Sequence, residues 1–139
     1  MNALIRTLTL AAALALPATT LAQGKAPALK GHDPVAYFVD GRPVKGTPSI
    51  TYDFDESRYQ FSKPKHRELF AADPDRYAPQ FTGLCTAGLA KGMKAEADPS
   101  IWKIVDGKLY LFSSVQAREQ ADKDPSLLAK AHQVFKAPN

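Results

Sequence analysis

The sequence predicts a single α+β domain in which a small antiparallel sheet, built from hairpins, packs against several short helices. Two stretches predict the hairpins: residues 50–61 alternate aromatic and polar side chains, and residues 102–112 flank an Asp-Gly pair. Alternation with a period of two is typical of strands, and Asp-Gly is typical of a two-residue hairpin turn. Helix-capping residues and Asp-Pro pairs lie between and after these strands, which favours α+β over an all-β fold.

The first 22 residues have the pattern of a cleaved secretory signal. One positive charge, Arg6, precedes an apolar run over 8–16, and small residues precede a predicted cut near Ala22. The apolar run is too short to span a bilayer. We therefore expect a periplasmic or secreted protein that starts at Gln23, has a flexible leader over 23–30 and has no membrane span after cleavage.

Short helices are expected between the first hairpin and the second. Ser62 is placed to cap the helix that follows the first hairpin. Asp73-Pro74 starts a further helical turn. Thr82 is placed to cap a short helix over 84–90, which Gly92 ends.

The second hairpin carries the strongest local signal, because Asp106-Gly107 supplies the positive backbone angles of a tight turn. Ser114 is placed to cap the next helix, and Asp124-Pro125 starts the last one. We assign residues 31–113 to the domain proper and residues 114–139 to helices packed on it. No internal repeat is visible in the sequence.

Composition and motifs exclude several classes of function. The formal net charge is +4, and the 18 Lys and Arg residues are scattered rather than gathered on one stretch, so no nucleic-acid partner is expected. No Gly-x-Ser-x-Gly elbow, phosphate-binding glycine loop, His-Glu-x-x-His or Cys-x-x-Cys pair occurs. These absences favour a protein that is not an enzyme.

The single cysteine, Cys85, is the most informative candidate residue. A lone thiol outside the cytosol cannot form an internal disulfide, so it is inert and buried, bound to a metal, or used in redox chemistry. If Thr82 caps the next helix, Cys85 is its third residue, where free N–H groups and the helix dipole lower the pKa of a thiol. The alternative is a small hydrophobic residue buried between Leu84 and Leu89.

An ordered set of segments carries a resemblance to a known family: GHDPVAYF at 31–38, YQFS at 59–62, FAADPDRYAPQF at 70–81, GLCTAGLAKG at 83–92 and WKIVDGKLY at 102–110. In these segments the chain resembles the YHS-domain proteins of the small secreted bacterial type. The resemblance implies that some members carry selenocysteine where Cys85 stands, which favours chemistry at that position over packing.

The YHS group is similar to a wider set of TRASH-like metal-binding domains, which hold metal through cysteines. By that comparison the three ligand positions are Ala36, Ser62 and His66 in this chain. The resemblance therefore implies that only His66 keeps the chemistry of a ligand, and that the cysteine-rich site of the wider set is missing.

Three further side chains are candidates for binding a soft metal ion with Cys85. His66 is either an exposed helix histidine or a nitrogen ligand or proton partner of the thiol. His32 lies in a predicted loop and is either a turn residue or a second nitrogen ligand. Met93 offers a thioether, although a methionine there is more often a surface or gap-filling residue. His132 is assigned no role.

Three functions remain open at this point. The first is capture or delivery of a soft metal, most naturally a copper ion, by Cys85 with His66 and His32, which requires a metal donor or acceptor as partner. The second is single-thiol redox chemistry, in which Cys85 is the reactive residue and a partner protein supplies the resolving thiol. The third is an interaction or structural module in which Cys85 is inert.

Overall fold

Two β-hairpins divide the chain into two similar halves. A computed structural model describes residues 24–137, and the predicted signal segment lies outside the described residues. The first hairpin pairs β1 (Thr47–Phe54) with β2 (Ser57–Phe61), and the second pairs β3 (Asp98–Val105) with β4 (Lys108–Phe112). Both pairs are antiparallel and form separate two-stranded sheets. The predicted α+β class is confirmed, with two small sheets instead of one.

Six α-helices complete the part of the chain that the structure describes. They are α1 (Ala36–Val39), α2 (Pro64–Ala72), α3 (Pro74–Tyr77), α4 (Thr86–Ala90), α5 (Val115–Lys123) and α6 (Ser126–Lys136). Within residues 24–137, no helix combines the length and apolar character that a membrane crossing needs.

Both hairpins close through two residues with positive φ. These are Asp55 (47°) and Glu56 (63°) in the first turn, and Asp106 (52°) and Gly107 (74°) in the second. Positive φ at both central positions matches the twist of the flanking strands. The hairpin predicted from Asp106-Gly107 is therefore confirmed, with Trp102 paired to Leu111 and Val105 to Lys108.

Two further tight turns have left-handed backbones. In the segment Ala28–Gly31, Leu29 and Lys30 have φ of 55° and 50°; in the segment Gln80–Gly83, Phe81 and Thr82 have φ of 58° and 55°. Gly31 and Gly83 follow with φ of 83° and 85°, a conformation that glycine adopts without the steric cost of a Cβ. The first of these turns is followed by the short helix α1, and the second is followed by α4.

The predicted cap at Ser114 and the helix starts predicted at Asp73-Pro74 and Asp124-Pro125 are confirmed. The Ser114 side chain accepts a hydrogen bond from the Ala117 amide at the start of α5. Asp73 caps α3 by accepting from the Arg76 amide at 3.3 Å. At the start of α6, the Asp124 carboxylate accepts from the Ser126 amide at 3.0 Å.

Two other predicted caps are wrong. α2 begins after Lys63, without a side-chain cap, because the Ser62 hydroxyl donates to the distant Asp33 carboxylate instead. Thr82 lies in the left-handed turn, where its hydroxyl donates to the Phe81 carbonyl at 2.7 Å. α4 therefore starts at Thr86, four residues after the predicted cap.

The first half of the core is aromatic. Phe70 of α2 is fully buried, and its ring centroid lies 4.8 to 6.0 Å from those of Tyr52, Phe54, Tyr59 and Phe61 on the first hairpin. Such tilted and edge-on pairs add to the free energy gained by burial. This packing confirms the prediction that the aromatic face of the first hairpin is buried.

Tyr37 of α1 joins the two halves. Its ring lies 5.3 Å from that of Trp102, and its hydroxyl donates to the Pro99 carbonyl at 2.6 Å. Residues 27–30 of the predicted leader also belong to the folded part, because Leu29 is buried and Pro27 forms an isolated bridge with Arg58.

Candidate functional site: the Cys85 thiol and the buried Asp33–His66 pair

Cys85 is the residue immediately before α4, not its third residue. Its backbone is extended (φ −63°, ψ 116°), and its carbonyl accepts the first helical hydrogen bond from Leu89 at 2.9 Å. Its own amide donates to the Ala95 carbonyl at 2.9 Å. Hydrogen bonds therefore hold both the amide and the carbonyl of Cys85, and the residue is only 1% exposed.

Polar donors surround the Cys85 sulfur in spite of its burial. The Ser113 amide donates to Sγ at 3.2 Å. Burial alone raises the pKa of the thiol, but hydrogen bonds from the Ser113 hydroxyl and from the amides of Gly88, Ser113 and Ala87 outweigh it, so the pKa lies below its ordinary value. The expected low pKa is therefore supported, and its cause is this set of donors instead of a Thr82 cap.

Thr86, the residue after Cys85, carries an unusual buried hydroxyl. Its side chain is fully buried, and Oγ1 has no hydrogen-bond partner within residues 24–137. Burying a hydroxyl without a partner costs about 1–3 kcal/mol, so such groups are rare in folded proteins. The start of α4 thus combines a hydrogen-bonded sulfur with an unpaired hydroxyl.

His66 is buried, which corrects the expectation of an exposed helix histidine. It is 3% exposed on α2, and its Nδ1 lies 2.6 Å from Oδ2 of the fully buried Asp33. The helix turns this face inward because Phe70, one turn later, packs against the first hairpin.

Asp33 accepts hydrogen bonds from four groups besides His66. The amides of Val35 and Ala36 donate to Oδ1 at 2.9 and 3.3 Å. The amide and the hydroxyl of Ser62 donate to Oδ2 at 2.8 and 2.7 Å. A fully buried carboxylate is stable only with such complete pairing.

The three positions implied by the TRASH-like comparison surround this carboxylate. Ala36 contributes its amide, Ser62 its amide and hydroxyl, and His66 its Nδ1. Their shared partner in this chain is Asp33, and sequence reasoning did not select Asp33 as a functional residue.

The remaining candidate ligands face other groups. His32 Nδ1 lies 3.0 Å from the Leu29 carbonyl. Met93 is 55% exposed. His132 Nε2 lies 2.9 Å from the Tyr110 hydroxyl, and burial, together with Lys108 and Lys136, holds the pKa of His132 below its usual value.

The structure does not gather the predicted copper ligands. Within residues 24–137, no three His, Cys, Asp or Glu side chains form a group that could hold a metal ion. Cys85 faces backbone and hydroxyl donors, and His66 faces a carboxylate that already accepts four other hydrogen bonds. The donor set of Cys85, His66 and His32 therefore does not fit a shared copper site.

Comparisons of this chain with protein-family models, with curated proteins and with solved structures find no match. The resemblance to YHS-domain proteins stays a prediction that rests on the segments quoted above.

Asp33 and Ser113 are the residues that sequence reasoning missed. A signal for Asp33 existed: an aspartate directly before a proline and an apolar run is typical of a residue that caps a helix. Ser113 offered none, because it lies 28 positions from Cys85 and meets the sulfur only in the folded chain.

Proposed function

We propose that the protein is an exported thiol protein whose functional group is the Cys85 thiolate. The observation that carries this proposal is the hydrogen bond from the Ser113 amide to Sγ at 3.2 Å, and the Ser113 hydroxyl and the amides of Ala87 and Gly88 are further groups that lower the pKa of the buried thiol. A cysteine that serves only as a small hydrophobic residue needs no such donors. Donors that outweigh burial are typical of cysteines that react as thiolates.

The reaction we propose is exchange with a disulfide of a partner. The Cys85 thiolate attacks one sulfur of that disulfide, the partner's S–S bond breaks, and the second partner sulfur leaves as a thiolate and takes up a proton. Cys85 is then held in a mixed disulfide. Because the chain has no other cysteine, a second thiol from the partner must displace it and restore the Cys85 thiolate.

Access to the sulfur is the main physical requirement of this function. Cys85 is 1% exposed, yet Leu84 beside it and Leu111, its bridge partner, both line a surface cleft between the two left-handed turns. A partner disulfide that enters this cleft meets the thiol after a local displacement of these two side chains.

The test measures the reaction of the purified protein with a small aromatic disulfide across a pH series. We expect the rate to stay high to a lower pH than it does for the same thiol in the unfolded chain, because the lowered pKa keeps the folded thiol ionised further into acid. Cys85→Ser, which removes the only sulfhydryl, is the control for the background rate. A thiol that reacts only after unfolding in guanidinium would contradict the proposal.

The copper hypothesis is tested on the same two proteins. Titration with Cu(I) against a colorimetric competitor shows whether the wild type binds one equivalent that Cys85→Ser has lost. If the wild type bound one equivalent of Cu(I) and its thiol did not react with the disulfide, the result would contradict the exchange function and support metal capture. No bound copper together with a reactive thiol is the result we expect.

A further inference from the structure

The chain passes through the same succession of elements twice. A left-handed turn is followed by a short helix, a hairpin with strands of 8 and 5 residues, and a helix of 9 residues. The first succession runs from Ala28–Gly31 to α2, and the second runs from Gln80–Gly83 to α5. In both, an Asp-Pro pair then leads into a further helix, α3 or α6.

The two hairpins also agree residue by residue. Thr47 pairs with Phe61 in the first and Asp98 with Phe112 in the second, and each register shifts within the next four residues of the long strand. The strand that enters each hairpin therefore carries its irregularity at the same place. Equivalent residues of the two hairpins are 51 positions apart in the sequence.

Identical residues occupy many of the equivalent positions. Gly31 corresponds to Gly83, Pro48-Ser49-Ile50 to Pro99-Ser100-Ile101, Tyr59 to Tyr110, Phe61-Ser62 to Phe112-Ser113, Arg67-Glu68 to Arg118-Glu119, and Asp73-Pro74 to Asp124-Pro125. The expectation that the chain contains no internal repeat is therefore wrong. The repeat is hard to detect in the sequence, because the matching segments are short. In addition, the segment that precedes the hairpin is one residue longer in the first half than in the second.

The repeat makes Asp33 and Cys85 equivalent residues. Each follows a left-handed turn and precedes a short helix, and each donates its amide across to a loop carbonyl, Asp33 to Val44 at 2.8 Å and Cys85 to Ala95 at 2.9 Å. The pair is 52 positions apart, because the segment between Asp33 and β1 has 13 residues and the segment between Cys85 and β3 has 12.

The hydrogen-bond donors around the two side chains correspond one to one. The amides two and three residues later donate to each, from Val35 and Ala36 to Asp33 and from Ala87 and Gly88 to Cys85.

A serine after the hairpin supplies the other two donors in each half. The amide and hydroxyl of Ser62 donate to Asp33. The amide of Ser113 donates to Cys85 Sγ at 3.2 Å, and the Ser113 hydroxyl is a further group that lowers the pKa of the thiol. The first half thus shows which chemical species this set of donors suits, namely a buried anion.

We infer that the chain is a tandem duplication of a unit of about 51 residues, and that Ser113 is the positioning residue that holds Cys85 as Ser62 holds Asp33. This inference deepens the thiolate function proposed above and rests on it. The two halves differ at one further position: His66 meets the anion in the first half, and its equivalent in the second is Ala117. The second half therefore relies on Ser113 for its only side-chain donor to the sulfur.

The experiment compares the pH titration of the Cys85 thiolate, followed by its ultraviolet absorbance, in the wild type, Ser113→Ala, Ser113→Thr and Ser62→Ala. Loss of the Ser113 hydroxyl should shift the titration to higher pH and lower the acid dissociation constant of the thiol about tenfold, the effect of losing one hydrogen bond to a charged acceptor. Ser113→Thr keeps a hydroxyl and should restore the wild-type titration. Ser62→Ala removes the equivalent hydroxyl from the other half and should leave the titration unchanged.

Two results would overturn the inference: an unchanged titration in Ser113→Ala, or equal shifts in Ser113→Ala and Ser62→Ala, which would indicate general loosening. If Ser113→Ala does not fold, Ser113→Gly takes its place, since it lacks the hydroxyl and adds no methyl group. The titration needs no partner disulfide. A failure of the exchange reaction with a normal titration would therefore contradict the proposed function and leave this inference intact.

Discussion

At the scale of single residues, Asp33 is the most strongly constrained side chain that the structure describes. Its two carboxylate oxygens accept from three backbone amides, one hydroxyl and one imidazole, and none of its surface is exposed. Removing one partner of a buried hydrogen-bonded pair leaves the other partner without compensation, which costs more than the pair itself contributes. Asp33 thus ties the start of α1 to the end of β2 and to α2.

Asp33→Ala should lower the free energy of unfolding by about 3 kcal/mol or more, because it leaves the Ser62 hydroxyl and His66 buried without their acceptor. Urea denaturation followed by circular dichroism measures this change. Asp53→Ala is the matched control, since Asp53 also holds a basic side chain, Arg58, but on the surface, where water and salt weaken the pair. Equal losses in the two variants would refute the role given to Asp33.

The Cys85 thiol makes stability depend on pH in a defined direction. Its pKa in the folded protein lies below the ordinary value. Between the folded and the unfolded pKa, the unfolded chain binds more protons, so the thiol stabilises the fold increasingly as the pH rises through this window. This stabilisation is complete above the unfolded pKa and is lost as the pH falls through the folded pKa.

We expect the difference in unfolding free energy between wild type and Cys85→Ser to grow with pH on the acidic side of the ordinary thiol pKa, which is about 8.5. Denaturation at a series of pH values measures it. A difference that stays constant with pH would mean that the folded thiol titrates like an unfolded one. That result would contradict the lowering of the thiol pKa by the donors around Sγ.

At the scale of elements, the entry into the first hairpin depends on a close approach of two backbones. A Cβ placed on Gly46, the residue before β1, would lie 2.5 Å from the Gln60 carbonyl carbon and 2.7 Å from the Phe61 nitrogen. Both are backbone atoms of β2, so neither can move without breaking the pairing.

Gly46→Ala should therefore destabilise the fold by about 1–3 kcal/mol through overpacking. Gly88→Ala is the matched control, because its Cβ would meet Ala95 and Met93 only at an ordinary 3.5 Å, and alanine in α4 should be neutral or stabilise by about 0.5–1 kcal/mol. Thermal unfolding of both variants measures the contrast. A Gly46→Ala variant as stable as Gly88→Ala would show that the hairpin tolerates a wider entry.

Local sequence determines most of the elements, which is why they could be predicted. Asp106-Gly107 and Ser114 act on neighbouring residues, and both were assigned correctly. Ser62 and Thr82 were assigned wrongly because a capping serine or threonine looks the same in sequence as one that bonds elsewhere. The left-handed turns at Leu29 and Phe81 are stabilised by tertiary packing, and neither residue type favours positive φ.

At the scale of the whole molecule, the site could be predicted only in part. The lone Cys85 and its lowered pKa follow from the sequence and from a general argument about helix starts, although the donors differ from those expected. The Asp33–His66 pair joins residues 33 positions apart, and the Ser113–Cys85 contact joins residues 28 apart. No local pattern fixes such distances, and the sequence matches between the two halves do not by themselves show that both serines meet equivalent side chains.

The equivalence of the two halves leads to a prediction that separates an anion site from a hydrophobic one. Cys85→Asp places in the second half the residue type that the first half holds at Asp33, with the same set of four donors. Cys85→Val fills the position with an apolar side chain and leaves those donors unpaired. At neutral pH we therefore expect Cys85→Asp to be the more stable of the two, as measured by urea denaturation.

The order should reverse in acid, since hydrogen bonds to a carboxylate lower its pKa and the stabilisation they give is lost as the pH falls through the folded pKa. Leu89→Asp provides the control for a buried charge without donors. Leu89 is 2% exposed on the same helix, and its replacement should be the least stable variant at neutral pH. If Cys85→Val were more stable than Cys85→Asp at every pH, the position would be hydrophobic, and the thiolate would lose the physical basis that the first half of the chain supplies.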